Sequence, residues 1–365
     1  MLNKENVLKN LSFCTRCRQC RMVSERPLPE ILLPICPSGD YFKFDSYYAS
    51  GRITLAKKVL SGEIGLDNSL LSLIYSCTLC GSCKQQCPID ELEPLQATKA
   101  LRQMAVAEGL ADDYYPHFEE KYLAGSIKKD SDSSIAFFLG CETQSEQETL
   151  DAIIMLLQNL GLAFQTLDNI CCGAYLLRKG DEQSFKEKMS SNREKILAKG
   201  IKQVITHDPL CYKVLKENYK LEEKGVEVVF YLELLEDRLS EQTFNLGAQP
   251  LKVAYHDPCQ FRTYPRLQDS ARKIIGAING VELIELERSR ENAYCCGGVP
   301  DWAQMYTAAS EAASAERLQE VEKAGADMVV STCHNCVTQL KKAAQKNGLN
   351  IRIENLVTIL RHNGL

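Results

Sequence analysis

A chain of 365 residues with a net charge of −5, 45% apolar and 25% charged residues has room for two or three domains with cores of their own and the balance of an ordinary globular protein. No run approaches 18 uncharged apolar residues; residues 153–162 come nearest and include Gln158 and Asn159, so a membrane is expected only through a partner. The N-terminus lacks a basic stretch followed by an apolar one, and no single-sign tail is present, which argues for a cytoplasmic setting and against nucleic acid.

Seventeen cysteines are the anomaly. In a small secreted domain they would read as disulfides. Here the chain is large and many of its cysteines recur at two- and three-residue spacings, which points to metal in a reducing compartment.

The first run is Cys14-x2-Cys17-x2-Cys20, followed by a loop carrying Pro27, Pro29 and Pro34, then Cys36-Pro37. A helix is expected over residues 50–61. The second run, Cys77-x2-Cys80-x2-Cys83-x3-Cys87-Pro88, has the spacing of the bacterial two-cluster ferredoxins. In such pairs the fourth cysteine serves the other cluster. Cys14, Cys17, Cys20 and Cys87 are therefore assigned to one cubane [4Fe–4S], and Cys77, Cys80, Cys83 and Cys36 to the other. Zinc also takes C-x2-C pairs, but three cysteines at consecutive two-residue gaps before Cys-Pro make a poor zinc knuckle. Residues 1–60 hold ten Lys and Arg against five Asp and Glu. That surplus either offsets an anionic cluster or forms a solvated basic face. Residues 90–124 read as helical, with an apolar stripe through Leu92, Leu95, Ala97, Leu101, Met104 and Ala105, and residues 125–134 as a linker.

Beyond the linker the chain repeats itself. In the first copy a strand at 135–140 ends at Cys141. A helix (148–160), a strand (162–167), Cys171-Cys172-Gly173, a helix (181–199) and a strand (203–206) lead to His207, Asp208 and Cys211. In the second copy a strand at 253–255 leads to Cys259. A helix (267–278), a strand (281–286), Cys295-Cys296-Gly297-Gly298, a helix (303–324) and a strand (328–330) lead to Cys333 and Cys336. The landmarks recur at offsets of 118 (141 to 259), 124 (172 to 296) and 125 (211 to 336) residues, too constant for chance. Strand–helix–strand–helix order predicts a small parallel sheet in each copy, with the cysteines just past strand ends, in a crevice at one edge of each sheet. Two adjacent cysteines cannot easily chelate one ion. Five thiolates converging from Cys259, Cys295, Cys296, Cys333 and Cys336 suggest an inorganic cluster, with Gly297 and Gly298 letting backbone approach it.

These motifs together resemble the iron–sulfur catalytic subunit family of heterodisulfide reductase, in its single-chain form. The resemblance implies an α+β chain: a helical ferredoxin-like two-cluster domain over 1–124, then two tandem Rossmann-like α/β CCG repeats over 134–240 and 250–365. It implies a noncubane [4Fe–4S] cluster in the second repeat, and an oxidoreductase that passes electrons from a partner to a disulfide. Similar subunits of glycolate and lactate oxidases, quinone-linked complexes and benzoyl-CoA-type reductases suggest the alternative of an electron relay without a disulfide substrate. A metal-stabilised scaffold is the third reading. One position departs from the pattern: the first repeat offers Cys141, Cys171, Cys172 and Cys211, but Asp208 stands where a cysteine is expected. A cubane, an altered cluster or none are the possibilities there.

Eight, four and five cysteines account for all seventeen, leaving no mobile thiol for exchange. His256 and His334 flank the complete repeat and are the candidate catalytic proton donors; His207 reads as a histidine bonded to backbone at a strand end. Arg262 and Arg266 suit an anionic substrate or, more ordinarily, surface ion pairs, and Trp302 a core. Neither a G-x-G-x-x-G nor a Walker sequence is present, so flavin or nicotinamide chemistry is assigned to a partner subunit. The reactant is expected to be a small-molecule disulfide or thiol.

Overall fold

The computed structural model describes residues 2–23, 33–118, 133–141, 147–167, 170–236, 244–245 and 251–362. Pro27, Pro29, and most of the linker expected at 125–134 lie outside them. The protein is a mixed helical and parallel-sheet molecule with a helical N-terminal part and two four-stranded sheets.

The N-terminal part packs helices Lys4–Ser12, Ala49–Leu60, Asn68–Tyr75 and Leu95–Ala107 around Leu11, Ile53, Ala56, Leu71, Ile74 and Leu101. Helix Leu95–Ala107 is shorter than the stretch read as helical. Glu108 leaves helical geometry and Gly109 takes a φ of +71°, which ends it, and Tyr115 then folds back into the same core.

Each repeat builds one parallel sheet. In the first, the strands run in the order Gln165–Leu167, Ile135–Phe138, Gln203–Thr206, Glu227–Phe230, with Ala136 opposite Gln165 and Ile135 opposite Gln203. In the second the order is Val281–Ile284, Leu251–Tyr255, Met328–Ser331, Arg352–Asn355, with Leu251 opposite Val281 and Val253 opposite Met328. Counted within each repeat, both orders are second, first, third, fourth. The central strands read as continuous apolar runs because helices cover both faces. The helix expected over 303–324 is broken: Pro300–Met305 and Thr307–Ala324 meet at Tyr306, whose φ of −131° and ψ of 54° are not helical. The Tyr306 hydroxyl donates to Ser72 O at 2.8 Å, tying the break to the N-terminal part.

The cores of the two repeats are not separate. Each fourth strand is followed by a short helix that crosses to the other repeat. Tyr231–Glu236 packs on Pro265–Gly276, and Leu356–His362 packs on Gln147–Asn159. Leu232, Leu235, Leu356, Val357, Ile359 and Leu360 are all within one buried cluster spanning both repeats. A boundary near residue 240 therefore divides the sheets but not the hydrophobic core. Among the described residues no helix is long and apolar enough to cross a membrane.

Candidate functional site

All seventeen cysteines are free thiols, and the fold gathers them into a few groups. The two N-terminal loops share one backbone path. Arg16 (φ +58°) and Arg18 (φ +69°) in the first match Leu79 (φ +57°) and Gly81 (φ +83°) in the second. Left-handed residues two and four places after the leading cysteine turn successive N–H groups inward, the geometry of an anion-binding nest. Cys20 and Cys87 each feel the charges of Cys14 and Cys17, while Cys83 feels those of Cys77, Cys80 and Cys36 and also that of Cys20. Cys36, Cys77, Cys80 and Cys83 line one cavity together with Arg52. Burial is the main cause that pushes the Cys36 thiol up to about 12 and Cys83 well above its usual value.

Two buried arginines serve this inner group. Arg52 donates to Ser38 Oγ (2.8 Å), Ser76 Oγ (2.7 Å) and Tyr47 O; Arg102 donates to Cys77 O (2.6 Å) and Arg178 O (2.7 Å). Among the described residues neither is ion-paired with a carboxylate. A buried guanidinium without an anion is costly, so the donor set fits an anionic four-thiolate centre. Of the basic residues of 1–60, Arg52 is buried at this group, and Arg102 joins it from helix Leu95–Ala107.

In the second repeat the thiols fall into two touching subsets. Cys259 and Cys295 are 4.0 Å apart, and Cys295 is also within hydrogen-bonding reach of Cys80. Those contacts push Cys295 well above its usual value and hold Cys80 well below. Cys336 bonds to Cys296 and Cys333. His256, Cys296 and Cys336 offer donor atoms within 4.8 Å of one another. Gly297 (φ +74°) has no room for a side chain: a Cβ there would lie 2.7 Å from Trp302 Cζ3 and 3.1 Å from Ser310 Cα. Arg317 Nε donates to His256 Nδ1 at 3.0 Å, and the buried Nε2 has no partner among the described residues. Burial, with Arg317 beside it, pushes the imidazole well below its ordinary pKa. Nδ1 accepts from Arg317, so a proton carried by the neutral ring sits on Nε2. His334 instead lines a cavity of about 410 Å³ with Gly298, Asn335 and Lys342.

In the first repeat Cys141 and Cys171 are 3.6 Å apart, and Cys172 and Cys211 3.3 Å. Hydrogen bonds from Cys141 and Cys172 hold Cys171 down to about 3. Cys172 pulls Cys211 down, but burial and the Asp208 carboxylate push it up to about 12. Cys141 and Cys171 open onto a cavity of about 180 Å³ that Tyr175, Lys179 and Lys188 also line. The two sites face each other across the seam between repeats: His207 and Asp208 both feel the charge of His334, and Cys333 that of Asp208. His207 is not bonded to backbone. Both ring nitrogens are buried without a partner among the described residues.

The crevices are not confined to the edge of each sheet, because the N-terminal part closes over them. Arg178 of the first repeat is ion-paired with Asp301 of the second at 2.8 Å, and Tyr115 donates to the same Asp301 oxygen at 2.8 Å. Trp302 Nε1 donates to Ser76 O at 2.7 Å, and the indole is 1% exposed. Arg262 is no surface residue: it is buried and donates to Cys80 O (3.2 Å) and Ala293 O (2.6 Å). Arg266 is exposed and pairs with Glu236 at 3.3 Å. Sequence reading missed this junction. Its signal is an arginine next to the buried apolar face of a helix, as at Leu101-Arg102 and Arg52-Ile53.

Comparison with known proteins follows the same division. The model of the cysteine-rich (CCG) domain matches residues 135–216 and 253–341, and that of the 4Fe-4S dicluster domain residues 10–90. One subunit of the fumarate reductase (CoM/CoB) of Methanothermobacter marburgensis is 26% identical, over 96% of this chain and 72% of its own. One subunit of the dihydromethanophenazine:CoB–CoM heterodisulfide reductase of Methanosarcina acetivorans is 25% identical, over 97% of this chain and 94% of its own. A crystal structure of a hypothetical protein from Helicobacter pylori superimposes with a TM-score of 0.54, covering 100% of this chain and 77% of that one at 12% identity, a likeness of fold alone. The chain thus joins a 4Fe-4S dicluster domain to two CCG domains, and is an iron–sulfur oxidoreductase subunit similar over nearly its whole length to those of heterodisulfide reductase.

Proposed function

We propose that this protein reduces a small-molecule disulfide at its second CCG repeat, with electrons that enter through the dicluster domain. The observation that carries this reading is the contact between Cys80 and Cys295. It joins a thiol of the inner dicluster group to the complete five-cysteine set. Cys14, Cys17, Cys20 and Cys87 would hold one cubane [4Fe–4S], Cys36, Cys77, Cys80 and Cys83 the other, and Cys259, Cys295, Cys296, Cys333 and Cys336 a noncubane cluster. Bound there, such centres supply single electrons in succession, two being needed with two protons to turn a disulfide into two thiols.

The chain's own residues supply the rest. Cys17 is exposed, so the outer group is where a flavin-containing or other electron-transfer protein would dock. Arg262 holds the Cys80 loop against Ala293, two residues before Cys295. His256, whose Nδ1 accepts from Arg317, would offer its free Nε2 N–H to a centre held by Cys296 and Cys336, and hydrogen bonds to sulfur tune the potential of such a site. His334, at the cavity wall, is the residue through which a proton reaches the leaving thiolate.

The test is turnover of a thiol–disulfide pair by the purified protein with an artificial electron donor. Cys295→Ser or Cys296→Ser should lower it at least 100-fold while the EPR signals of the dicluster domain persist. Turnover surviving in both variants would sink the assignment. Iron and acid-labile sulfide should come to about sixteen each per chain for four clusters, against about eight for the dicluster pair alone.

A further inference from the structure

Asp208 and Cys333 hold the same place in the two repeats. Each follows the third strand, each caps the next helix (Pro209–Asn218 or His334–Lys346) from extended backbone, and each stands three residues before a cysteine, Cys211 or Cys336. The Cys333 thiol turns back onto Cys336. The Asp208 carboxylate does the same with Cys211: Oδ1 accepts the Cys211 N–H at 2.7 Å, and the carboxylate is within hydrogen-bonding reach of the thiol.

What the cap does not explain is the other oxygen. Asp208 is 4% exposed, and its Oδ2 is buried without a partner among the described residues. A buried carboxylate oxygen left unsatisfied costs several kcal/mol. Helix capping does not require it, since asparagine or serine caps about as well as aspartate with no buried anion. Among the described residues Asp208 is in no ion pair, and both ring nitrogens of the neighbouring His207 lack a partner; the charge of His334 reaches the carboxylate from across the seam, yet Oδ2 stays without a bond. The missing partner has the character of a cation, beside Cys211, which lies 3.3 Å from Cys172 in the four-thiol set of the repeat.

We propose that Asp208 is the fifth ligand of the first repeat, binding iron through Oδ2 alongside those four thiolates. This rests on the reading that the repeat holds an iron–sulfur centre. The two repeats then present the same number of donors in the same positions, but one donor of the first is a hard oxygen. Carboxylate is a weaker partner than thiolate for iron bonded to sulfide, so the iron held by Asp208 is the most readily lost in the molecule, and the first centre is electronically unlike the second.

Asp208→Asn keeps the helix cap and removes the anionic oxygen. In the full chain purified with its clusters, iron per chain should fall by about one, with a three-iron EPR signal appearing. Asp208→Cys should retain the iron and move the Mössbauer parameters of one site toward those of a thiolate-bound iron. Unchanged iron content and spectra in Asp208→Asn, or an unchanged Mössbauer spectrum in Asp208→Cys, would overturn the proposal. Cys172→Ser separates its failure from failure of the reading beneath it. If Cys172→Ser loses iron while Asp208→Asn does not, the aspartate assignment alone falls. If neither loses iron, the first repeat holds no centre and both fall.

Discussion

The two CCG repeats share a sheet order and a motif and both bond to the N-terminal part, yet among the described residues only the second brings a cysteine within reach of a dicluster cysteine. In the second repeat, Cys295 touches Cys80, Arg262 bridges to the Cys80 carbonyl, and Trp302 bonds to Ser76. In the first, Cys171 bonds to its own partners Cys141 and Cys172, and the site opens onto a cavity. Where the second repeat has Tyr294 before its cysteine pair, with a hydroxyl that reaches Asp40, the first has Ile170, which can bond to nothing. A duplicated unit has thus been given two electronic surroundings by what was packed against each copy.

The most damaging way to break this arrangement is at the junction common to all three parts. Arg178 and Asp301 are both nearly fully buried, and removing one partner of such a pair costs about 3–5 kcal/mol because the other charge is stranded. Arg178→Leu should therefore lower the denaturant midpoint markedly, followed by fluorescence of Trp302, the chain's single tryptophan. Arg178→Leu combined with Asp301→Leu should recover a large part of the loss. A single variant as stable as its parent would mean that the repeats do not depend on a shared anchor.

A milder test compares the glycines of the two motifs. Gly173 (φ +80°) and Gly297 (φ +74°) are both left-handed, so alanine costs about 1–2 kcal/mol at either. At 173 the nearest obstacle is Phe185 Cδ2, 3.0 Å from a built Cβ. At 297 it is Trp302 Cζ3, at 2.7 Å, with Ser310 Cα behind it. Trp302 is held by its bond to Ser76, so Gly297→Ala should suffer a further 1–3 kcal/mol of overpacking, by order of magnitude. Equal losses at the two sites, measured by the same unfolding experiment, would say that the second repeat is no more tightly gripped than the first.

Much of each repeat was legible because its strands are short apolar runs and its helices are punctuated by Gly161, Gly200, Gly280 and Gly325. What escaped was contact between motifs. A C-x2-C spacing states that its cysteines converge, but nothing local states that Cys80 will meet Cys295. Likewise nothing local says that the helix carrying Leu356, Val357, Ile359 and Leu360 buries itself on the other repeat. His256 looked like a proton donor beside a cysteine. Nothing local shows that its Nδ1 is taken up by Arg317, 61 residues away. Each failure concerns long-range pairing, whose energy lies in packing and buried charge rather than in local propensity.

The smallest effect expected is a pH dependence confined to the second repeat. Asp40 accepts from Tyr48 and from Tyr294, each at 3.2 Å, and burial raises its pKa to about 6 from an ordinary 3.8. A folded-state pKa above the unfolded one means that the folded protein prefers neutral Asp40. The resulting stabilisation is complete below about pH 4 and is lost as pH rises through 6. A shift of about two units corresponds to about 3 kcal/mol, and partial exposure of Asp40 reduces this to about 1–2 kcal/mol. Asp40→Asn removes that charge. The variant should be more stable than its parent above pH 6, with the advantage shrinking toward pH 4. Ile170, standing where Tyr294 stands in the other repeat, has no such partner, so Ile170→Val should shift stability by the same amount at every pH. A parent-minus-variant difference for Asp40→Asn that is flat between pH 4 and pH 8 would show that the tyrosine contact with the dicluster domain carries no charge.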